Sequence, residues 1–183
     1  AISFLTAVKS IADDLGVSSA FDLELVERFE KNIGNQDSLL ALVSDAYKSS
    51  DRFLKGNDQN DIGSLILAGG WIESLYFANS TAEMTGNKDV IKRIGEQKTT
   101  IYNLIKLLTP YYSKPKFTAL VDDLMELNEI YEQVESTYTY VKPSVDVENK
   151  ITTVNSTTVV NITEDQLKAI SDKIIAMRLE IIS

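Results

Sequence analysis

Two groups of side chains in this sequence have the types and the spacing to do chemistry. Asp122, Glu126 and Glu129 follow one another at four and three residues, which sets three carboxylates on one face of a helix. Oxygens so placed suit Ca²⁺ or Mg²⁺, and paired carboxylates also do the acid–base work of glycosidic hydrolysis. Both uses need partners from other elements. Asp123, Glu132 and Glu135 crowd the same segment, so a solvated acidic face is the simpler reading. The second group is Gly69, Gly70, Trp71 and Glu73. Bare backbone at the glycines lets a ligand or a neighbouring helix approach closely. A carboxylate inside an apolar run is costly to bury. It needs a Lys or Arg partner, or it lines a cavity with its pKa raised by desolvation. These four residues are the candidate ligand site, and close helix packing is the competing account of the glycines.

Weaker signals surround these two groups. Asp58-Gln59-Asn60-Asp61-Ile62-Gly63 begins like a calcium loop, but the pattern requires an oxygen ligand where Ile62 stands and a Glu where Gly69 stands. Helix capping accounts for these residues. Tyr102, Tyr111, Tyr112, Tyr131, Tyr138 and Tyr140 gather in the second half, where they can form a recognition surface or pack the chain together. Asn79, Asn155 and Asn161 each open an Asn-x-Ser/Thr triplet, a pattern that arises easily in a chain rich in these residues.

Composition removes much of the remaining chemistry. The 183 residues contain no histidine and no cysteine. This excludes the Ser-His-Asp triad, thiol catalysis, disulfides, the usual zinc ligands and the histidine-containing di-iron motif of helical bundles. No cofactor is expected. A net charge of -9 argues against nucleic acid and against adsorption to anionic membranes. No phosphate loop, dinucleotide fingerprint or nucleophile elbow is present.

The elements that must position these residues are mostly helical. Apolar spacing predicts helices over residues 2–15, 20–33, 38–54, 61–85, 88–108, 116–135 and 164–182. Ser18 or Ser19 caps the second, Asp37 or Ser38 the third and Asp61 the fourth. Glu24–Arg28 and Glu27–Lys31 are favourable pairs on the second, whose apolar residues include Leu23 and Val26. Gly34-Asn35, Gly56-Asn57 and Gly86-Asn87 mark helix ends. The run Ile62–Ala78 carries Glu73 as its only charge and shows no polar face, so this helix is expected to be central and buried. At roughly 17 residues with a charge and the Gly69-Gly70 pair it falls short of the ~20 needed to span a bilayer, and the chain is not transmembrane. Residues 137–162 read as a β excursion, with Ile151–Val154 and Thr157–Val160 joined through Asn155-Ser156 as a hairpin. Thr163-Glu164-Asp165-Gln166 is a capping box for the last helix. The expected fold is all-α in the main: one domain over residues 1–183, a bundle of about seven helices around a central buried helix, with a small β-hairpin before the last.

The stretch Ser64–Tyr76, with the threonine-rich hairpin and Thr163-Glu-Asp-Gln-Leu167, resembles uncharacterised helical proteins of bacterial cell envelopes, many of them lipoproteins. The resemblance implies a secreted or periplasmic location, with a lipid-bearing cysteine before Ala1. The absence of an initiator Met fits a processed start or a trimmed one. It implies no catalytic residue. The sequence thus supports a non-enzymatic interaction or scaffold protein of the cell envelope with a protein as partner. The alternative is a small-ligand binding protein or carboxylate-dependent enzyme with its pocket near Glu73.

Overall fold

The computed structural model describes residues 10–14, 16 and 23–183. Residues 10–14 are helical, and seven further α-helices follow among the described residues. Ile2, Leu5, Val8, Leu15, the capping serines Ser18 and Ser19, and the side chains of Leu23 and Val26 lie outside the described set. The chain forms two compact units, residues 1–66 and 67–183.

In the first unit, α1 (Leu23–Lys31) is followed by α2 (Gln36–Gly56) and the opening of α3 (Asn60–Thr85). Asn35, one residue past Gly34, caps α2: its side-chain oxygen accepts the Ser38 N–H at 3.0 Å. This is the cap expected of Asp37 or Ser38, moved upstream. Ala12 and Leu54 are buried, with Phe53 and Ile62 packed on them. Of the two ion pairs expected on α1, Lys31–Glu27 forms at 3.2 Å, whereas Arg28 reaches Asp45 on α2 at 3.7 Å.

The second unit holds the rest of α3, then α4 (Lys88–Gly95), α5 (Lys98–Leu108), a 3₁₀ turn at Thr109–Tyr111, α6 (Pro115–Glu132), the strands and α7 (Glu164–Ile182). Gly86 takes φ +60°, the left-handed geometry that ends a helix cheaply only at glycine. Asn87 then caps α4 by accepting the Asp89 and Val90 N–H groups. Its core is drawn from Ile72, Leu75, Ile94, Ile101, Leu108, Val121, Leu124, Leu127, Ile170 and Ile174, all buried. Each full burial of such a side chain is worth about 1.5–3 kcal/mol. α6 packs against both α5 and α7. Thr163 and Gln166 form the reciprocal capping box that the sequence announces.

The helix expected over 88–108 is two helices. The break falls at Glu96-Gln97, where the Gln97 N–H bonds back to the Ile94 carbonyl at 3.1 Å. The same carbonyl accepts the buried Tyr131 hydroxyl at 3.1 Å, and the Gln97 side chain accepts the Trp71 indole N–H at 3.1 Å. Lys98, opening α5, donates to the Glu132 and Val134 carbonyls, both at 2.9 Å, and so satisfies orphan acceptors where α6 ends.

The strand pairing also differs from the expected hairpin. β1 (Glu135–Thr139) pairs antiparallel with β4 (Thr157–Asn161), and β2 (Ser144–Asp146) with β3 (Ile151–Thr153). The chain therefore does not reverse at Asn155-Ser156. It reverses at residues 147–150, where Lys150 takes φ +55° and Asp146 accepts both the backbone and side-chain N–H of Asn149. Asn155-Ser156 instead bridges the two pairs. The Ser156 hydroxyl oxygen accepts the Val141 N–H and its proton goes to the Val141 carbonyl, both at 3.1 Å, and Asn155 donates to the Lys142 carbonyl at 3.3 Å. The result is one long two-branched ribbon: an outgoing branch of β1 and β2, and a return branch of β3 and β4.

Candidate functional site

Within the Glu73 group the carboxylate is held in an ion pair. Arg178 of α7 grips the Glu73 carboxylate with two hydrogen bonds, 2.6 Å from Nε and 3.0 Å from a terminal nitrogen. The guanidinium also lies 4.5 Å from the Tyr76 ring centroid, a cation–π distance. The hydrogen bonds from Arg178 hold the Glu73 carboxyl below its ordinary range, the opposite of the raised pKa that a cavity would give. Its side chain remains 38 % exposed. Trp71 is engaged with Gln97.

Gly69 and Gly70 correct the packing expectation. Both are exposed, and apart from the neighbouring backbone of the helix itself no described atom lies within 4 Å of a Cβ built on either. α3 is likewise not buried all round. Ser64, Ala68, Ile72, Leu75, Asn79 and Ala82 are buried, while Phe77 is 59 % and Met84 81 % exposed, and Ile66 and Leu67 are open as well. The helical wheel shows what a helix carries on each face but not which faces have neighbours. No described helix is long and apolar enough to cross a membrane.

Three of the α6 carboxylates are engaged with other side chains. Asp122 accepts the Tyr112 hydroxyl at 2.9 Å. That bond, with the charge behind it, raises the Tyr112 pKa. Glu126 shares the Lys173 ammonium with Asp123, at 2.5 and 2.7 Å. Burial by itself would lower the Lys173 pKa, but the two carboxylates outweigh it and leave it raised. Glu129 is exposed. Among the described residues no three His, Cys, Asp or Glu side chains come together to hold a metal ion. The triplet asparagines separate: Asn79 is buried in α3, while Asn155 and Asn161 are exposed on the ribbon.

The most unusual surface is the ribbon itself. It is tied to the helices at its root, where Val160, Ile162 and Val134 meet Gly95. A Cβ at Gly95 would stand 2.6 Å from Val160 Cγ1, so only glycine lets β4 come this close to α4. Beyond the root nearly every residue is exposed. Tyr138, Tyr140, Val145, Val147, Ile151, Val154 and Val159 all stand open, with Tyr140 at 69 % and Val147 at 80 %. The register places Val160 opposite Ser136, Thr158 opposite Tyr138, and Thr157 opposite Thr139. Strand alternation then sets Val159 on the face opposite the rooted Val160. The sequence flagged the excursion and its tyrosines, but the valines became visible as surface only once the pairing was known. No family model, curated protein or solved structure matches the chain, and the functional reading rests on this geometry.

Proposed function

We propose that the chain is a non-enzymatic protein-interaction or scaffold protein of the bacterial cell envelope, with the β ribbon as the surface that meets its protein partner. The observation that carries this is the row of Tyr, Val and Ile side chains standing in water along the ribbon. A lone two-stranded ribbon is marginal in water. Side chains of these types gain most when a partner desolvates them. The envelope location draws on the resemblance of Ser64–Tyr76 and the threonine-rich ribbon to envelope proteins, and a lipid anchor upstream of Ala1 belongs to the same reading. The pocket alternative loses its main support where Arg178 pairs with the Glu73 carboxylate.

The test removes the ribbon and keeps its root. Thr139 and Thr157 stand opposite each other, so replacing residues 140–156 by Asn-Gly closes the strands with a two-residue turn. The trimmed protein is expected to keep the helical circular dichroism of the full chain. It should also lose the partner that the full chain retains from detergent-solubilised envelopes, read by quantitative mass spectrometry. Equal recovery of that partner by both proteins overturns the ribbon as contact surface.

A further inference from the structure

The two ends of the ribbon meet at one side chain. Gln166, in the first turn of α7, uses both halves of its amide. Its Oε1 accepts the Thr163 N–H at 2.9 Å, where the return branch runs into the helix. Its Nε2 donates to the Gln133 carbonyl at 2.8 Å, where α6 gives way to the outgoing branch. The whole excursion, residues 134–162, lies between these two bonds. A helix leaves its last carbonyls without partners inside the helix. Here three successive carbonyls at the end of α6 find side-chain donors. Lys98 takes those of Glu132 and Val134, each at 2.9 Å, and Gln166 takes the one between. Lys98 opens α5 and Gln166 belongs to α7, so two helices close on the same three residues. Both donors are half-buried. Val134 beside them is buried, and with Val160 and Ile162 it meets Gly95.

We infer that Gln166 and Lys98 are the positioning residues of the ribbon. They fix the direction in which it leaves the helices, so a protein partner meets the exposed Tyr, Val and Ile side chains on a preset arm and not on a swinging loop. The inference deepens the ribbon's role as contact surface and rests on that reading. Capping alone does not account for the arrangement. A Glu at position 166 would accept the Thr163 N–H as well as Gln does, but it has no hydrogen to give to the Gln133 carbonyl. Carbonyls at a helix end are also satisfied by water. Holding two long side chains on them costs rotamer freedom, and what is gained is a fixed angle between α6 and β1. Only a fraction of swinging ribbons would point the right way at any moment, and the apparent affinity for a partner would fall by that fraction.

The absence of cysteine gives a direct test. Cysteines introduced at Thr139, at the far end of β1, and at Met125, exposed on α6, carry two spin labels, and double electron–electron resonance reads the distances between them. The full chain is expected to give one narrow distance peak. Gln166→Glu keeps the cap of α7 and Lys98→Met keeps the apolar stem. Together they should replace the peak by a broad distribution, with the helical circular dichroism unchanged. Lys98→Arg retains donors and should keep the peak that Lys98→Met broadens. In the envelope capture described above, the cysteine-free double variant should retain about fivefold less partner than the full chain. A broad distribution in the full chain, or a peak equally narrow in the double variant, overturns the positioning role. Broadened distances with undiminished partner recovery overturn its service to the contact. The distances are read without any partner, so the trimmed-ribbon experiment still decides separately whether the ribbon is a contact surface.

Discussion

The residues that looked chemical are, in the fold, mostly engaged with side chains from elsewhere in the chain. Glu73 illustrates why the sequence could not say so: its partner Arg178 lies 105 positions away, and nothing local marks the pair. What could be read was the demand, a carboxylate in an apolar run that must find a cation, and the fold meets it. The consequence is a pH dependence with a definite sign. The Glu73 carboxyl is held below its ordinary value of about 4.5 by the Arg178 hydrogen bonds. The folded state therefore binds fewer protons than the unfolded one in this range. The stabilisation is fully present above the unfolded pKa and is lost as pH falls through the depressed folded one. Because the group is well exposed, solvent screens the pair, and the slope is the quantity to read. Urea midpoints measured from pH 7 to pH 3 should fall less steeply in Glu73→Gln than in the unaltered chain. Parallel curves would remove the pair as a contributor.

Among the elements, the sequence placed helices well and strand partners badly. Thr163 announces a helix start because a cap acts within three residues of itself, whereas Asn35 and Asn87, read as marks of helix ends, are also the caps of the helices that follow. The division of 88–108 and the pairing of the strands depend on contacts from elsewhere. The helix breaks beside the Tyr131 hydroxyl and the Trp71 indole. The ribbon's register follows from the reversal near Lys150, and Asn155-Ser156 had looked like the better turn. Gly95 is where the two surprises meet, since it ends α4 and seats β4. Gly95→Ala forces its new methyl into Val160 and is expected to cost about 1–3 kcal/mol, as overpacking does. The chemical denaturation midpoint measures it. Adding Val160→Ala should recover part of that loss, and a double-mutant cycle reads the coupling. Additive losses would mean that the two residues do not share the space the structure assigns them.

On the scale of the molecule, the mostly helical class and the β excursion before the last helix were legible, because hydrophobic periodicity is written along the whole chain. The depth at which α3 sits was not, since burial belongs to neighbours and not to composition. The single Trp71 has a use of its own. It lies in the unit of residues 67–183, with its indole N–H donating to Gln97. Emission excited at 295 nm comes from that indole and from no tyrosine, so a fluorescence melt follows the second unit alone. Any part of the far-ultraviolet melt that departs from it is a signal from residues 1–66. One intrinsic chromophore thus tells, without labelling, whether the two units unfold together or in turn.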